Sequence, residues 1–389
     1  MRRVAAWIVG AAIVLGSPLI GDLRQALLVA FPRQYITIIT AAVVAGGALL
    51  LTVCFRAIRT DRPRRLGTLG LAAALAITSF ASLRSGNANV DAVEAFHFVE
   101  YGVLTLLFFQ FGRPGPRWEA YGEAALATTA VGVADEWFQW FVPARAGEWH
   151  DVLFNLLATA CGLLLCLALD VRGRGSSDPS AVRGPGSLDP GAVPRGTQLG
   201  IRAALVVLLL GAFIATIHLG AEIRDPEIGA FRSRFSGARL HELGAERTRR
   251  WAGGTPPVAG RYGREDQYEA EALWHVRRRN FGMDPDRRGD PLELDVAWHE
   301  NQILERHFAA VLDAASVAGG AGGAVGHRLA PEQLADVDAR RAHLSTPFVS
   351  DAEALPLYTW TPLVFWAIVA GLALAVLGAG LLVDRTRSA

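Results

Sequence analysis

The sequence predicts an all-α fold: a polytopic transmembrane helical bundle of about eight spans with a small, mainly helical extracytoplasmic domain. Three observations support this prediction. The chain is 51% apolar and only 19% charged, and its mean hydropathy of +0.27 is high for a soluble enzyme of 389 residues. Apolar runs of nearly the length that a bilayer-spanning helix needs occur repeatedly. Arginines are distributed unequally between alternate loops.

The apolar runs define the predicted spans. We expect them at residues 4–20, 35–55, 67–83, 93–111, 121–141, 152–169, 201–220 and 358–383. The first run has a second interpretation as a signal peptide, since Arg2 and Arg3 precede its apolar core. No A-x-A-like cleavage site follows, however, and Pro18 and Asp22 suit the end of a helix.

The arginines predict the orientation. One set of alternate loops and termini contains 16 arginines: Arg2, Arg3, Arg56, Arg59, Arg62, Arg64, Arg65, Arg113, Arg117, Arg172, Arg174, Arg183, Arg195, Arg202, Arg385 and Arg387. The other set contains four: Arg24, Arg33, Arg84 and Arg145. Because cytoplasmic loops are enriched in basic residues, we expect both termini in the cytoplasm.

The remaining organisation follows from composition. We predict a six-helix membrane domain at 1–171, a disordered cytoplasmic linker rich in Gly, Pro and Ser at 172–200, a seventh helix at 201–221, an extracytoplasmic domain at 222–356, an eighth helix at 357–383 and a cytoplasmic tail at 384–389. In the extracytoplasmic domain, Glu265–Arg279 and Leu292–Ala315 show helical periodicity, a further helix starts near Ala330, and the Gly-rich run Val317–Gly326 is a loop.

Composition also excludes several functions. None of the 38 basic residues is a lysine, which excludes Schiff-base or lysine general-base chemistry. A net charge of +1, with no basic stripe interleaved with aromatics, argues against a nucleic-acid partner. Cys54, Cys161 and Cys166 lie in apolar runs without zinc-ligand spacing, so we expect inert buried thiols.

One segment of the extracytoplasmic domain has a partial zinc-protease pattern. His299-Glu300 begins it, but the second ligand position is Ile303, so the motif is incomplete. We predict an amphipathic helix instead, with Ile303, Leu304, Phe308 and Val311 facing inward.

Polar residues enter three neighbouring spans at similar depth. They form pairs at i, i+4 spacing: His97 with Tyr101, Asp135 with Gln139, and Asp151 with Asn155. An ionisable side chain inside a bilayer costs about 2.5–3.5 kcal/mol on insertion scales. We therefore expect these groups to face one another near the outer leaflet. Single residues such as Glu94, Glu100 and Trp149 are interpreted as interfacial.

The polar residues of these spans suggest proton-transfer and binding roles. His97 with Asp135 or Glu136 would form a general acid/base pair, although whether a reaction occurs is open. Arg145 would hold a phosphate through its bidentate guanidinium. The predicted substrate-binding residues are Asp91, Tyr101, Gln139, Arg145, Asp151 and Asn155.

Two alternatives stay open. His97, Asp135, Glu136 and Asp151 have ligand atoms for a divalent ion, but no local ligand spacing supports this, so no metal is predicted and the cofactor is unknown. Alternatively, the polar residues are structural salt bridges and caps. The residues concerned would be Asp135, Glu136, Arg145 and His150.

Together these residues resemble a known family. The pattern Asp91-x5-His97-x3-Tyr101, then Asp135-Glu136-x2-Gln139 with Pro143 and Arg145, then Asp151-x3-Asn155, resembles the VanZ-like family over roughly residues 67–170. The resemblance implies a bacterial plasma (inner) membrane protein linked to the cell envelope. In some members it implies reduced susceptibility to lipoglycopeptides such as teicoplanin. It does not imply a particular reaction.

Two classes of function follow. The first is an outer-leaflet site that binds or modifies a membrane lipid or a lipid-linked envelope precursor. The second is a non-catalytic scaffold or interaction protein, or a transporter; the inner halves of the first six spans contain almost no polar residues, which disfavours transport. We expect the extracytoplasmic domain to cover the site or to contact an envelope protein partner.

Overall fold

The computed structural model describes residues 2–83, 88–111, 116–141, 147–169, 193–251, 264–284, 291–313, 327–340, 347–353 and 355–388. Within these ranges the chain forms thirteen α-helices and one two-stranded sheet, which confirms the predicted all-α membrane-type fold. The chain divides into two compact units. The helical unit comprises Met1–Phe213 and Leu363–Ala389, and the second unit comprises Ile214–Pro362.

Eight helices form the helical unit. They are α1 Arg2–Ala30, α2 Tyr35–Ala57, α3 Arg62–Leu83, α4 Ala88–Gln110, α5 Arg117–Gln139, α6 Trp149–Leu169, α7 Arg195–Ile217 and α13 Pro362–Ser388. Among the helices of the described ranges, α2, α3, α6, α7 and α13 are long and apolar enough to cross a bilayer. The other predicted spans coincide with α1, α4 and α5; of these, α1 contributes the shorter apolar run Val4–Ser17, so the count of eight spans stays a prediction.

Helix α1 is longer than predicted. It continues to Ala30 instead of ending near Pro18 or Asp22. The run Ala26–Ala30 after those residues is again apolar and helix-forming. A proline removes one backbone donor, and a membrane helix tolerates this loss when neighbouring groups compensate.

Helix α6 lies at the centre of the bundle. Helices α3, α4 and α5 all pack against it, while α1 packs on α5 and α2 on α4. One core cluster includes Tyr101, Leu104 and Ala158, and a second joins Cys54 to Leu165. All three cysteines are buried free thiols, as the sequence predicted.

The start of α7 corrects the predicted linker boundary. This helix begins at Arg195, inside the segment 172–200, most of which lies outside the described residues. The Asp384 carboxylate of α13 accepts hydrogen bonds from the backbone N–H groups of Gly196 and Thr197 at 2.8 and 2.6 Å. Arg195 also pairs with Glu119 at 3.0 Å. A carboxylate satisfies the free donors of a helix N-terminus, which explains the early start.

The second unit begins with a hairpin that the sequence analysis did not predict. Strands β1 Ala221–Asp225 and β2 Gly229–Ser233 pair antiparallel, with Ile223 opposite Phe231. Gly229 has a φ of +101°, a conformation that L side chains rarely adopt, and a Cβ there would lie 2.5 Å from the Phe348 carbonyl oxygen.

Short helices complete this unit. They are α8 Gly237–Trp251, α9 Arg264–Gly282, α10 Pro291–His307, α11 Ala309–Leu312 and α12 Pro331–Arg340. The helices predicted near 265, 292 and 330 are confirmed, with one break at Phe308 between α10 and α11. The residues predicted to face inward are at most 2% exposed: Ile303, Leu304, Phe308 and Val311. The predicted loop Val317–Gly326 lies outside the described residues.

Candidate functional site

A buried polar cluster lies where α4, α5 and α6 pack together. We call it the polar cluster, and its members are Tyr101, Asp135, Glu136, Gln139 and Asn155. Each of these side chains is at most 4% exposed. Helices α4, α5 and α6 therefore bring four of the paired residues together, with Glu136 beside them.

Hydrogen bonds connect most of the polar cluster. The Tyr101 hydroxyl donates to Asp135 Oδ2 at 3.0 Å. Gln139 Nε2 donates to the same oxygen at 3.1 Å and to Glu136 Oε1 at 3.3 Å. Asp135 thus receives donors from two helices, and Gln139 bridges two adjacent carboxylates. A carboxylate held in this way is a fixed hydrogen-bond acceptor.

Asn155 differs from the other members. Its side chain is 1% exposed, and neither its amide nitrogen nor its amide oxygen has a hydrogen-bond partner among the described residues. It lies over Gly132 of α5: a Cβ added at Gly132 would be 3.2 Å from Asn155 Nδ2 and 3.3 Å from Tyr101 Cε1. Gly132 therefore allows the three helices to approach one another at the cluster.

His97 lies one helical turn before Tyr101, with their ring centroids 5.8 Å apart. Its Nδ1 is 4.0 Å from Glu100 Oε2. The predicted acid/base pairing of His97 with Asp135 or Glu136 stays a prediction, because the contacts described for His97 are to Tyr101 and Glu100 of its own helix. Glu100 is thus one carboxylate that lies close enough to orient the imidazole.

A second group of titratable side chains brings together the N-terminal parts of α4 and α6. One ligand atom each of Glu94, His150 and Asp151 lies within 4.8 Å of the others. Asp91 is 9% exposed, and the negative charges of Asp91 and Glu148 act on Glu94. Asp151 thus lies close to Glu94, and the charge of Asp91 acts on the same side chain.

Arg145 lies outside the described residues, so its role as a phosphate anchor stays a prediction. The chain is described again from Gly147, which packs on the end of α5: a Cβ there would be 2.0 Å from the Glu136 carbonyl oxygen. Gly147 therefore lies against the end of the helix that carries Asp135 and Glu136.

The incomplete zinc-protease pattern is structural in the second unit. His299 stacks on Phe348 with a centroid distance of 4.4 Å, and its Nδ1 lies 2.7 Å from the Ile228 carbonyl oxygen. Glu300 is bound by His275 at 2.6 Å and by the Ser350 hydroxyl at 2.5 Å, all three being buried. Glu300 thus forms hydrogen bonds with two neighbouring side chains in the core of the second unit.

The polar cluster and the Glu94 group both lie in a segment that matches the model of a known protein family. Residues 41–170 match the family model VanZ/LLP1. The matched segment is about a third of the chain, and it starts within α2 rather than at residue 67. We call the matched stretch the VanZ/LLP1 segment; it comprises most of α2 and all of α3 to α6. No curated protein and no solved structure matches the chain.

Sequence reasoning missed two residues of the VanZ/LLP1 segment. Gly132 is needed for close packing, a role that no polar pattern indicates. Glu94 was interpreted as interfacial, whereas its side chain is only 9% exposed and lies near His150. The i, i+3 spacing of Asp91, Glu94 and His97 was the signal that would have placed Glu94 on the same helix face.

Proposed function

We propose that the polar cluster is a binding site for the polar head group of a membrane lipid or lipid-linked envelope precursor, near the outer leaflet of a bacterial plasma membrane. The observation that carries this proposal is the buried Asn155 amide, which has no hydrogen-bond partner among the described residues. An amide buried in this way costs about 1–3 kcal/mol. A ligand that supplies its missing hydrogen bonds would offset this cost.

Carboxylates and carboxamides determine the head-group chemistry that suits the site. Asp135 and Glu136 accept hydrogen bonds, so they suit sugar hydroxyls, amides or an ammonium group. Asn155 can donate and accept, as sugar and peptide groups require. A phosphate would need a cation, and we assign that role to Arg145, which the sequence places in the loop after α5.

The arginine distribution supports a position of the polar cluster near the outer leaflet. The opposite end of α5 carries Glu119 and Glu123, which pair with Arg195 and Arg202. Arginines at that end mark the cytoplasmic side under the positive-inside rule. The cluster at the other end of α5 would then face the outer leaflet.

If a reaction occurs, His97 is the proton-transfer group that we propose. Its position one turn from Tyr101 places it beside the cluster, and Glu100 would orient its ring. Binding alone explains the Asn155 observation, so a reaction is a further step of the proposal.

The experiment compares Asn155→Leu with the wild type by native mass spectrometry of the full chain, extracted gently from its own membrane. We expect a retained phospholipid or polyprenyl-linked species in the wild type and its loss in Asn155→Leu. Leucine has a similar volume and no polar atoms, so the thermal midpoint of the variant should equal or exceed that of the wild type.

Thr128→Val is the matched control. Thr128 is also fully buried in α5. Its hydroxyl accepts a hydrogen bond from the Thr105 hydroxyl at 3.3 Å. This variant should keep the lipid. Equal lipid content in all three proteins would contradict the proposal.

A structural role for the cluster is the second candidate. The bonds among Tyr101, Asp135 and Gln139 favour it, because they satisfy one another across two helices. A lower thermal midpoint for Asn155→Leu, without a change in lipid content, would support this candidate. A contribution to glycopeptide or lipoglycopeptide susceptibility, as the family suggests, is then tested by comparing teicoplanin susceptibility of cells that express each variant.

A further inference from the structure

The group formed by Glu94, His150 and Asp151 has the composition of a metal site. It combines one imidazole nitrogen with two carboxylates, and the three ligand atoms lie within 4.8 Å of one another. Two ligands of one first-row metal ion, each about 2.0–2.2 Å from it, lie at most about 4.4 Å apart. Small side-chain rotations would bring this group to that geometry.

Glu94 provides an independent indication of a ligand. Its side chain is about nine-tenths buried, and Oε2 is shielded from solvent without a hydrogen-bond partner among the described residues. A carboxylate buried in apolar surroundings is costly unless a cation or several donors compensate it. Glu94 therefore has an unmet requirement for positive charge at the place where His150 and Asp151 approach it.

The surrounding charges increase that requirement. Asp91 lies one turn before Glu94 on α4, and Glu148 lies at the start of α6; both negative charges act on Glu94. Asp91, Glu148 and the nearby Asp151 thus add negative charge around Glu94. A divalent cation among them would replace this mutual repulsion by attraction.

Aromatic packing orients the histidine. The His150 ring meets Phe154 edge-on at a centroid distance of 5.1 Å, and Phe154 is fully buried. A metal ligand needs its ring held in one orientation, usually by neighbouring groups. Phe154 supplies part of that constraint.

We propose that Glu94, His150 and Asp151 bind one divalent first-row transition-metal ion, with Asp91 and Glu148 adding attraction from the next layer. One imidazole with carboxylates suits Zn²⁺ or Mn²⁺ better than Mg²⁺ or Ca²⁺, which prefer oxygen ligands alone. This set differs from the one considered from sequence, which used His97, Asp135 and Glu136 with Asp151. The proposal does not depend on lipid binding.

The test measures metal content in the full chain, purified in detergent through a tag without histidines from cells grown with added zinc and manganese. Elemental analysis should find about one zinc or manganese ion per wild-type chain. Glu94→Gln and His150→Gln should lose most of it. After chelation, both variants should bind Zn²⁺ and Mn²⁺ at least about tenfold more weakly than the wild type.

Two controls separate this site from others. Glu100→Gln changes the same residue type on the same helix and should keep the metal. His97→Gln distinguishes the two ligand sets, because it should keep the metal only if His150 is the ligand. Monodisperse elution and an unchanged thermal midpoint in chelator would show that the metal-deficient variants are folded.

Three results would overturn the proposal. They are a wild type that neither contains zinc or manganese nor binds them on titration, equal metal content in wild type, Glu94→Gln and His150→Gln, and loss of metal from His97→Gln alone. Lipid binding measured on the same samples shows separately whether the polar cluster is intact.

Discussion

Two buried side chains pose the same physical problem in different parts of the chain. Asn155 in α6 and His307 at the end of α10 both lack hydrogen-bond partners for their side-chain polar atoms among the described residues. The asparagine cannot lose its polarity, so a ligand is the proposed compensation. The histidine can remain neutral, which makes the stability of the folded chain depend on pH.

Burial, together with repulsion from the nearby His241, lowers the pKa of His307 from 6.5 to about 4. Between about pH 4 and 6.5, the unfolded chain therefore binds a proton at His307 that the folded chain does not bind. The contribution of His307 to the free energy of unfolding is fully present above about pH 6.5. It is lost as the pH falls toward 4, and the loss is at most roughly 3 kcal/mol.

We expect a His307→Phe variant to lose less stability than the wild type between neutral pH and pH 5. Phenylalanine keeps the ring contact with Phe231, whose centroid lies 5.0 Å away, but does not titrate. Thermal unfolding of the full chain at both pH values measures the difference. Equal losses in the two proteins would show that His307 does not determine this pH dependence.

At the scale of the elements, glycines determine how closely the helices of the VanZ/LLP1 segment approach. Gly162 of α6 meets α4 so closely that an added Cβ would be 2.6 Å from Thr105 Cβ and 2.9 Å from the Gly102 carbonyl oxygen. Thr105 in turn donates to the Tyr101 carbonyl oxygen at 2.7 Å. The α4–α6 contact therefore also sets the position of Tyr101.

We expect Gly162→Ala to push α4 and α6 apart and to lower the free energy of unfolding by about 1–3 kcal/mol. Gly70→Ala in α3 is the matched control, because no atom lies within 4 Å of its added Cβ. Thermal unfolding in the same detergent compares the two variants. A Gly162→Ala midpoint as high as that of Gly70→Ala would contradict this view of the interface.

At the scale of the whole molecule, the proposed lipid site depends on the orientation of the chain in the membrane. The arginine bias predicts cytoplasmic termini and an extracytoplasmic segment at 222–356. This segment lies within the compact second unit, Ile214–Pro362. Its side of the membrane is a prediction that labelling can test.

In a background without native cysteines, a membrane-impermeant maleimide should label Arg249→Cys on intact spheroplasts. Arg249 is exposed on α8 of the second unit. Ser176→Cys, in the predicted cytoplasmic linker, should react only after permeabilisation. The reverse pattern would invert the topology and place the polar cluster at the inner leaflet.

The sequence alone determined the features that depend on local pattern. Apolar runs located the helices of the helical unit, and helical periodicity located α9, α10 and α12, because burial of one face repeats every few residues. Spacing at i, i+4 also identified four residues of the polar cluster, since neighbours on one helix face are fixed by the helix itself. They are Tyr101, Asp135, Gln139 and Asn155.

Only the tertiary structure decided which of these groups meet. Tyr101 contacts Asp135, and Glu94 joins His150 and Asp151, because the rotation and separation of α4, α5 and α6 depend on close contacts at Gly132 and Gly162. Likewise, α7 starts at Arg195 because Asp384, 188 residues from Gly196, satisfies its first donors. Such contacts depend on packing between distant segments, whereas a sequence pattern reports only near neighbours.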